Sequence, residues 1–505
     1  MKGRITIFSI TGCPFCLRAK SKIRDQLGLE FVDINLDQHP DRREEAQKRS
    51  GRRTVPQIFF NNIHVGGFDD LEKLPKEDLD KLIKEVEENS PPDDAPQPPS
   101  KTSGETDEGD NNVVQFTCEL DEYADLVKSI KESGLVKDHR QGLIHNYRNT
   151  FIGKEVVDWL ISTRQIEREQ ALAMCQNLLE RHFGHSIKKG DEEKGFTDDD
   201  TLYRFLEDNE SNALNAGMGS LCEPRPAHEV GEMLRHLILE LYNSYLSSDG
   251  KGVDYTSMSD SSQFQDYVKH TAELQRVQVE GATREEKLSF FINIYNALVI
   301  HATVNNGPPN NLWQRYRFFN TVSYIIGGQS YSLNDIENGI LRSNRRAIGA
   351  IRRPFAKNDP RLKIALDDPE PLVHFALVCG AKSCPPIKTY SAKNVNEELL
   401  LAGEAFLEGE DGCQIDMTKR EIRLSKIFQW YKEDFGSNNT EVKKQTCFFI
   451  CNLSYNLAAA LLLSLGQVES SPIYHKHWII NFEALPGETP LPQYISRRFI
   501  IMTYP

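Results

Sequence analysis

The sequence predicts a multidomain chain of mixed α/β and α+β architecture, and three observations carry that prediction. The 505 residues suggest about three domains on the usual length prior. Two compositional breaks divide the chain. Asn89 to Asn112 holds Pro91, Pro92, Pro96, Pro98 and Pro99 among Asp, Glu, Ser and Gly, and Asn212 to Ser220 is rich in Gly, Ser and Asn. A Cys-x-x-Cys, Cys13 to Cys16, stands where an apolar strand pattern, Ile5 to Phe8, meets a helical one bearing Ile23 and Leu27.

That junction places Cys13 at a helix N-terminus, where unpaired N–H groups and the helix dipole favour negative charge. The thiol is expected to ionise below the free value of about 8.5. Cys16, one turn further in, can attack a mixed disulfide on Cys13, and Pro14 falls where a missing N–H costs little. The spacing also fits half of a zinc site. An all-cysteine zinc site needs a second pair, however, and the first 117 residues hold only these two cysteines. The βαβ context favours a redox motif on a thioredoxin-like fold. Phe31 to Ile34, Thr54 to Phe60 (opened by Pro56) and Ile63 to Val65 read as further strands, followed by a charged helix to about Glu88.

Residues 1–88 resemble a glutaredoxin in Cys13-Pro14-Phe15-Cys16, Thr54-Val55-Pro56 and Gly66-Gly67-Phe68-Asp69-Asp70. The resemblance implies a cis Val55–Pro56 peptide, with the Val55 backbone pairing the cysteinyl part of glutathione at the Thr54–Pro56 turn. It also implies that Gly67, Asp69 and Asp70 bind the γ-glutamyl carboxylate at a helix N-terminus, as orphan N–H groups bind anions generally. One position departs. Many family members carry Lys or Arg three residues before the first Cys, and this chain has Ile10. Arg52 and Arg53 are the cations able to replace it, or else they are ordinary loop charges.

A net charge of −14 argues against nucleic-acid binding and suits solubility. Ten cysteines are too few and scattered for a disulfide scaffold. Met1 to Ile5 lacks a signal peptide's apolar core, and Met502 to Pro505 carries no lipidation signal, so a reducing cytoplasmic location is expected. Residues 89–115 are expected to be a disordered linker, with no aliphatic residue larger than Ala95 up to Asn112.

Residues 120–208 read as a compact module. Tyr123, Leu126, Val127 and Ile130 share a helical face. Thr150 is a candidate helix start ahead of Val156, Trp159 and Leu160; Ala171 to Phe183 is amphipathic, and Phe196 with Tyr203 to Phe205 suggests a closing strand. The Phe151-x-Gly153-x-x-x-x-Asp158-Trp159-Leu160 core resembles a DEP domain. That resemblance implies a winged-helix-like fold without an active site, targeted in signalling to a membrane surface or a receptor or partner tail. Arg140, Arg148 and Lys154 are candidate headgroup contacts worth about 1 kcal/mol each, or else solvated charges; Trp159 reads as core.

Residues 228–505 are expected to form a large α+β domain, with helices over Leu234 to Tyr245, Lys287 to Val304 and Thr446 to Leu465. Ser330 to Leu333 and Glu421 to Leu424 read as strands. The uncharged stretch Gln445 to Val468 is long enough to span a bilayer, but Asn452 and Asn456 favour a buried core helix. An apolar run read as a strand, Val373 to Val378, leads to Cys379-Gly380-Ala381-Lys382-Ser383-Cys384. With Phe290 to Leu298, this resembles the family of unknown function numbered 547. Three readings stand: Cys384 as a nucleophile with His374 or another histidine as base, a Cys379–Cys384 disulfide reduced by the N-terminal head, or two small buried hydrophobes. His475-Lys476-His477 and Cys447 with Cys451 lack complete ligand sets, so no metal is expected.

The leading expectation is a thiol–disulfide oxidoreductase. Glutathione is the reductant, and protein disulfides or glutathionylated proteins are the substrates. The alternatives are a redox-sensing signalling adaptor with little turnover, and a thiol hydrolase or transferase in the C-terminal domain.

Overall fold

The computed structural model describes residues 1–10, 13–36, 39–52, 54–98, 118–141, 145–187, 195–209, 211–247, 253–378, 390–408, 412–416, 421–435, 467–470 and 477–483. It forms two compact units, Met1–Leu399 and Leu400–Pro505.

The first unit begins with β1 (Ile5–Ser9), α1 (Pro14–Ser21), β2 (Val32–Asn35), α2 (Arg43–Ser50), β3 (Gln57–Phe60), β4 (Ile63–Gly66), α3 (Phe68–Lys73) and α4 (Lys76–Glu88). The sheet order is β2-β1-β3-β4. β1 and β2 are parallel and the other pairs antiparallel, the thioredoxin-like arrangement expected. β1 is buried at all five positions, the polar Thr6 and Ser9 included, because it is covered on both faces. Ile5 and Ile7 pack with Ile58, Phe60, Ala19, Ile23, Phe68 and Leu71, while Phe8 packs with Phe59, Ile34 and Ala46. Burying each of the Ile, Leu and Phe side chains is worth about 1.5–3 kcal/mol.

Residues 89–98, expected to belong to a disordered linker, are instead held against the N-terminal domain. Ala95 is fully buried, Arg4 Nη2 donates to the Pro96 carbonyl (2.5 Å) and Arg42 Nη2 to the Gln97 carbonyl (2.8 Å). Arg49 donates to the Asp94 carbonyl. The segment is held by its backbone acceptors, which composition does not register. Residues 99–115 lie outside the described residues.

The next elements are α5 (Ala124–Glu132), β5 (Lys137–Gln141), β6 (His145–Ile152), α6 (Gly153–Arg164), α7 (Arg168–Glu180), β7 (Gly184–Ser186) and β8 (Leu202–Phe205), in a winged-helix-like arrangement. Their antiparallel sheet runs β5-β6-β8-β7. Leu126, Ile130, Phe151, Val156, Leu160 and Tyr203 form its core, with Trp159 packed against it. Thr150 does not start a helix. It is buried on β6, its hydroxyl meeting His139 Nδ1 at 2.9 Å, and α6 starts at Gly153 after the extended Ile152. Arg140, Arg148 and Lys154 are exposed.

Cys118 and Cys222 form a disulfide across 104 residues, a pairing that the sequence reading did not foresee. It borders a buried ion cluster. Arg276 pairs with Asp121, donates Nη1 to the Cys222 carbonyl (2.7 Å) and Nε to the Arg181 carbonyl (2.9 Å), and stacks on Phe183. The Gly/Ser/Asn break is docked at Asn215, whose amide bonds the Ile325 N–H (2.8 Å) and carbonyl (2.9 Å).

The rest of this unit holds α8 (Ala227–Ser244), α9 (Tyr255–Ser259), α10 (Ser262–His270), α11 (Arg284–Asn306), α12 (Leu312–Thr321), β9 (Ser323–Ile326) and β10 (Gln329–Ser332). α11 opens with a Thr283–Glu286 capping box and is buried from Leu288 to Thr303. It is long and apolar enough to cross a membrane, but it is apolar all round because protein surrounds it. α13 (Val395–Glu408) runs across the boundary between the units. The second unit has β11 (Cys413–Asp416), β12 (Glu421–Ser425), α14 (Ile427–Trp430), α15 (Lys432–Phe435), β13 (Gln467–Ser470) and β14 (His477–Glu483). Its antiparallel sheet runs β11-β12-β14-β13. The helix expected over Thr446 to Leu465 lies outside the described residues, and Gln467 and Val468 belong to a strand.

Candidate active site

The parallel β1–β2 pair and the crossing of α1 deliver Cys13 to the end of the sheet. Cys13 is the extended N-cap of α1, and its Sγ accepts the Cys16 N–H at 3.2 Å. Cys13 is 4% exposed and Cys16 1%. Burial pushes the Cys16 thiol well above its ordinary value, and the neighbouring Cys13 sulfur pushes it further. Cys16 therefore keeps its proton. A helix N-cap, the position of Cys13, stabilises charge.

The Val55–Pro56 peptide is cis, as the resemblance implies. The Val55 carbonyl lies 3.9 Å from Cys13 Sγ. A polar chain fixes this turn. Gln57 Nε2 donates to the Thr54 carbonyl (2.8 Å), and His64 Nε2 meets Gln57 Oε1 at 2.7 Å. Burial, helped by Arg52, holds His64 below its usual pKa, so the neutral ring donates through Nε2.

Gly67 caps α3, and the Asp70 carboxylate accepts its N–H at 2.8 Å. Arg52 Nη1 pairs with Asp70 at 2.5 Å. Burial raises the Asp70 carboxyl, but the Gly67 N–H and Arg52 more than reverse this, so it lies below its ordinary value. Asp69 is exposed beside it. Gly66 has φ +116°, and a Cβ there would collide with the Asp70 carboxylate, so only glycine fits. Arg18 lies over the rings of Phe15 (4.5 Å) and Phe68 (4.6 Å) and so ties α1 to α3. Ile10 packs into the apolar cluster of Phe8 and Ile34. Of the two arginines weighed as its replacement, Arg52 faces Asp70, and Arg53 lies outside the described residues.

The structure thus brings Cys13, Cys16, Val55 and Pro56 together at one edge, with Thr54 behind them and Gly67, Asp69 and Asp70 on the helix that Arg18 fastens to α1. It does the opposite for the C-terminal candidates. The expected strand Val373 to Val378 is instead a short 3-10 helix, Pro371–Phe375, followed by a turn. Pro371 starts that helix, and the Glu370 carboxylate caps the Leu372 N–H at 3.0 Å. His374 is buried there, while Cys379 and Cys384 lie outside the described residues. Two asparagines of α11 were not singled out. Asn296 bonds the Ala376 carbonyl (3.1 Å) and the Val378 N–H (2.9 Å). Asn293 bonds the Tyr390 carbonyl (2.7 Å) and N–H (3.1 Å). They clamp both ends of the cysteine-bearing segment, and polar residues three apart on an otherwise apolar helix were the signal for them. Among the described residues, no group of three or more His, Cys, Asp and Glu is placed to hold a metal. Cys447, Cys451 and His475 lie outside them.

Three families match the chain in order. Residues 5–65 match glutaredoxin, residues 135–205 the domain found in Dishevelled, Egl-10 and Pleckstrin, and residues 279–407 the protein family of unknown function DUF547. Glutaredoxin 3 of Escherichia coli K12 is 43% identical over 83 residues, 16% of this chain and 99% of that protein. Glutaredoxin 1 of Rickettsia prowazekii is 37% identical over 87 residues, 17% of this chain and 92% of that protein. A solved glutaredoxin from Brucella melitensis is 44% identical, covering 17% of this chain and 89% of its own, with a TM-score of 0.15.

Proposed function

Because the chain belongs to the glutaredoxin family through its N-terminal domain, we propose that it is a glutathione-dependent thiol–disulfide oxidoreductase whose head is joined to a DEP targeting module. The observation that carries this is the asymmetry of the cysteine pair. Cys13 is an N-cap sulfur accepting an N–H, and Cys16 is a buried thiol whose proton is held in place.

Cys13 as thiolate attacks the sulfur of a glutathionylated thiol or a protein disulfide, and the other sulfur leaves. In the resulting mixed disulfide, Cys13 no longer bears charge. The charge repulsion from Cys13 that helped raise Cys16 disappears while burial remains, so Cys16 ionises more readily when it is needed to attack Cys13. Glutathione lies along Val55 and Pro56, with its γ-glutamyl carboxylate toward Gly67, Asp69 and Asp70, and regenerates the dithiol. Arg52, paired with Asp70, supplies cationic character that Ile10 does not. The exposed Arg140, Arg148 and Lys154 suit an acidic membrane surface or partner tail, at a peripheral cytoplasmic location.

A coupled assay with a glutathionylated peptide, glutathione, glutathione reductase and NADPH tests this. Cys13→Ser is expected to reduce turnover to background, and Cys16→Ser to retain deglutathionylation. Turnover that survives Cys13→Ser would contradict the proposal. Ile10 favours a second reading, a redox-sensing adaptor, for which the intact chain would show almost no steady-state turnover.

A further inference from the structure

We propose that the Cys118–Cys222 disulfide is a substrate of the Cys13/Cys16 pair of the same chain, so that the protein carries its own redox target. The inference rests on the reading of the head as a thiol–disulfide oxidoreductase.

Among the described residues this is the one disulfide, and Cys13/Cys16 is the one dithiol. The other described thiols are unfit for exchange, since burial pushes both Cys175 and Cys413 up to about 12. Cys118 is exposed and Cys222 half-buried, on two short antiparallel segments. Asp121 N–H donates to the Leu221 carbonyl (2.9 Å) and Glu223 N–H to the Glu119 carbonyl (2.8 Å). Leu120 and Leu221 stand 70% and 43% exposed beside the sulfurs, which gives a partner domain an apolar surface to dock on. Cys118 follows Pro98, the last described residue of the head's own segment, by 20 residues, a reach of at most about 70 Å. Exchange within the chain is therefore favoured by effective concentration.

The exchange balances. Cys13 thiolate attacks Cys118 Sγ, the Cys118–Cys222 bond breaks, and Cys222 leaves as a thiolate that takes up a proton. Cys16 then gives up its proton and attacks Cys13 Sγ, releasing Cys118 as a thiolate. The target gains two electrons, and the head becomes a Cys13–Cys16 disulfide. Two equivalents of a small thiol such as glutathione return the head to the dithiol and end as their own disulfide. Reduction unfastens the 118–223 ladder beside the Arg276–Asp121 cluster, which joins the DEP-like module to the helices that follow it.

The test uses the full-length oxidised chain with glutathione, glutathione reductase and NADPH, read by thiol labelling and peptide mass analysis. The wild-type chain should reduce Cys118–Cys222 about a hundredfold faster than Cys13→Ser, at a rate independent of protein concentration. Cys16→Ser should accumulate a Cys13–Cys118 adduct, and this second readout holds if Cys13→Ser misfolds. Equal rates in wild type and Cys13→Ser, a rate proportional to protein concentration, or no adduct in Cys16→Ser would overturn the assignment. Wild-type turnover of a glutathionylated peptide with Cys118–Cys222 left intact refutes this inference alone. Failure on the peptide refutes the reading of the head.

Discussion

Asp121 shows how one carboxylate can organise a junction. Burial raises it, but the Tyr123 N–H, Arg276 and Arg181 outweigh that, so its folded-state pKa lies below the ordinary value of about 3.9. The sign follows. The stabilisation is fully present above the ordinary value and is lost as pH falls through the folded one. Asp121→Asn leaves Arg276 buried without its counter-charge, at a cost of about 3–5 kcal/mol. Thermal unfolding should show a lower midpoint for the variant at pH 7, with the gap to wild type closing toward pH 3. A gap that stays constant with pH would contradict this role for Asp121. Cys13 and Cys16 were legible from their spacing together with its strand-to-helix context, which puts Cys13 at the helix N-cap. Cys118 and Cys222 were not, because connectivity across 104 residues leaves no local trace.

At the scale of elements, the β4–α3 corner and the α11 asparagines decide how the binding edge and the C-terminal core are held. Gly66→Ala forces a Cβ against Asp70 and strains a φ of +116°. Its expected effect is a raised KM for glutathione with kcat nearly unchanged, since the cysteine pair lies on another element. An unchanged KM would remove the corner from the binding site. Asn296→Ala leaves the Ala376 carbonyl and Val378 N–H unpaired, at about 1–3 kcal/mol each. Chemical denaturation followed by fluorescence checks that loss. The head's strands were readable because β1 and β3 are short, mostly apolar runs rich in Ile and Phe. The segment after Glu370 was misread because a short apolar run does not distinguish a strand from a buried turn. There, Pro371 and the Glu370 cap decided the outcome.

Across the whole molecule, the order of modules was legible and their fastening was not. The three family matches follow the order read from motifs. The docking of Ala95 to Gln97 and of Asn215 depends on backbone carbonyls and amides that composition cannot weigh. Closing a loop of 104 residues removes unfolded-chain entropy worth about 4.7 kcal/mol. A Cys118→Ala/Cys222→Ala double variant should therefore unfold at a clearly lower denaturant concentration, while its head still deglutathionylates a peptide at the wild-type rate. Loss of both properties together would mean that the head depends on that fastening.

The most direct test of the account is residue-resolved alkylation of the reduced chain by iodoacetamide across pH, followed by peptide mass analysis. The account predicts that Cys13 is modified first, at lower pH, while Cys16 stays protected into the alkaline range. Modification of Cys16 before Cys13, or of both with one shared pH profile, would contradict it.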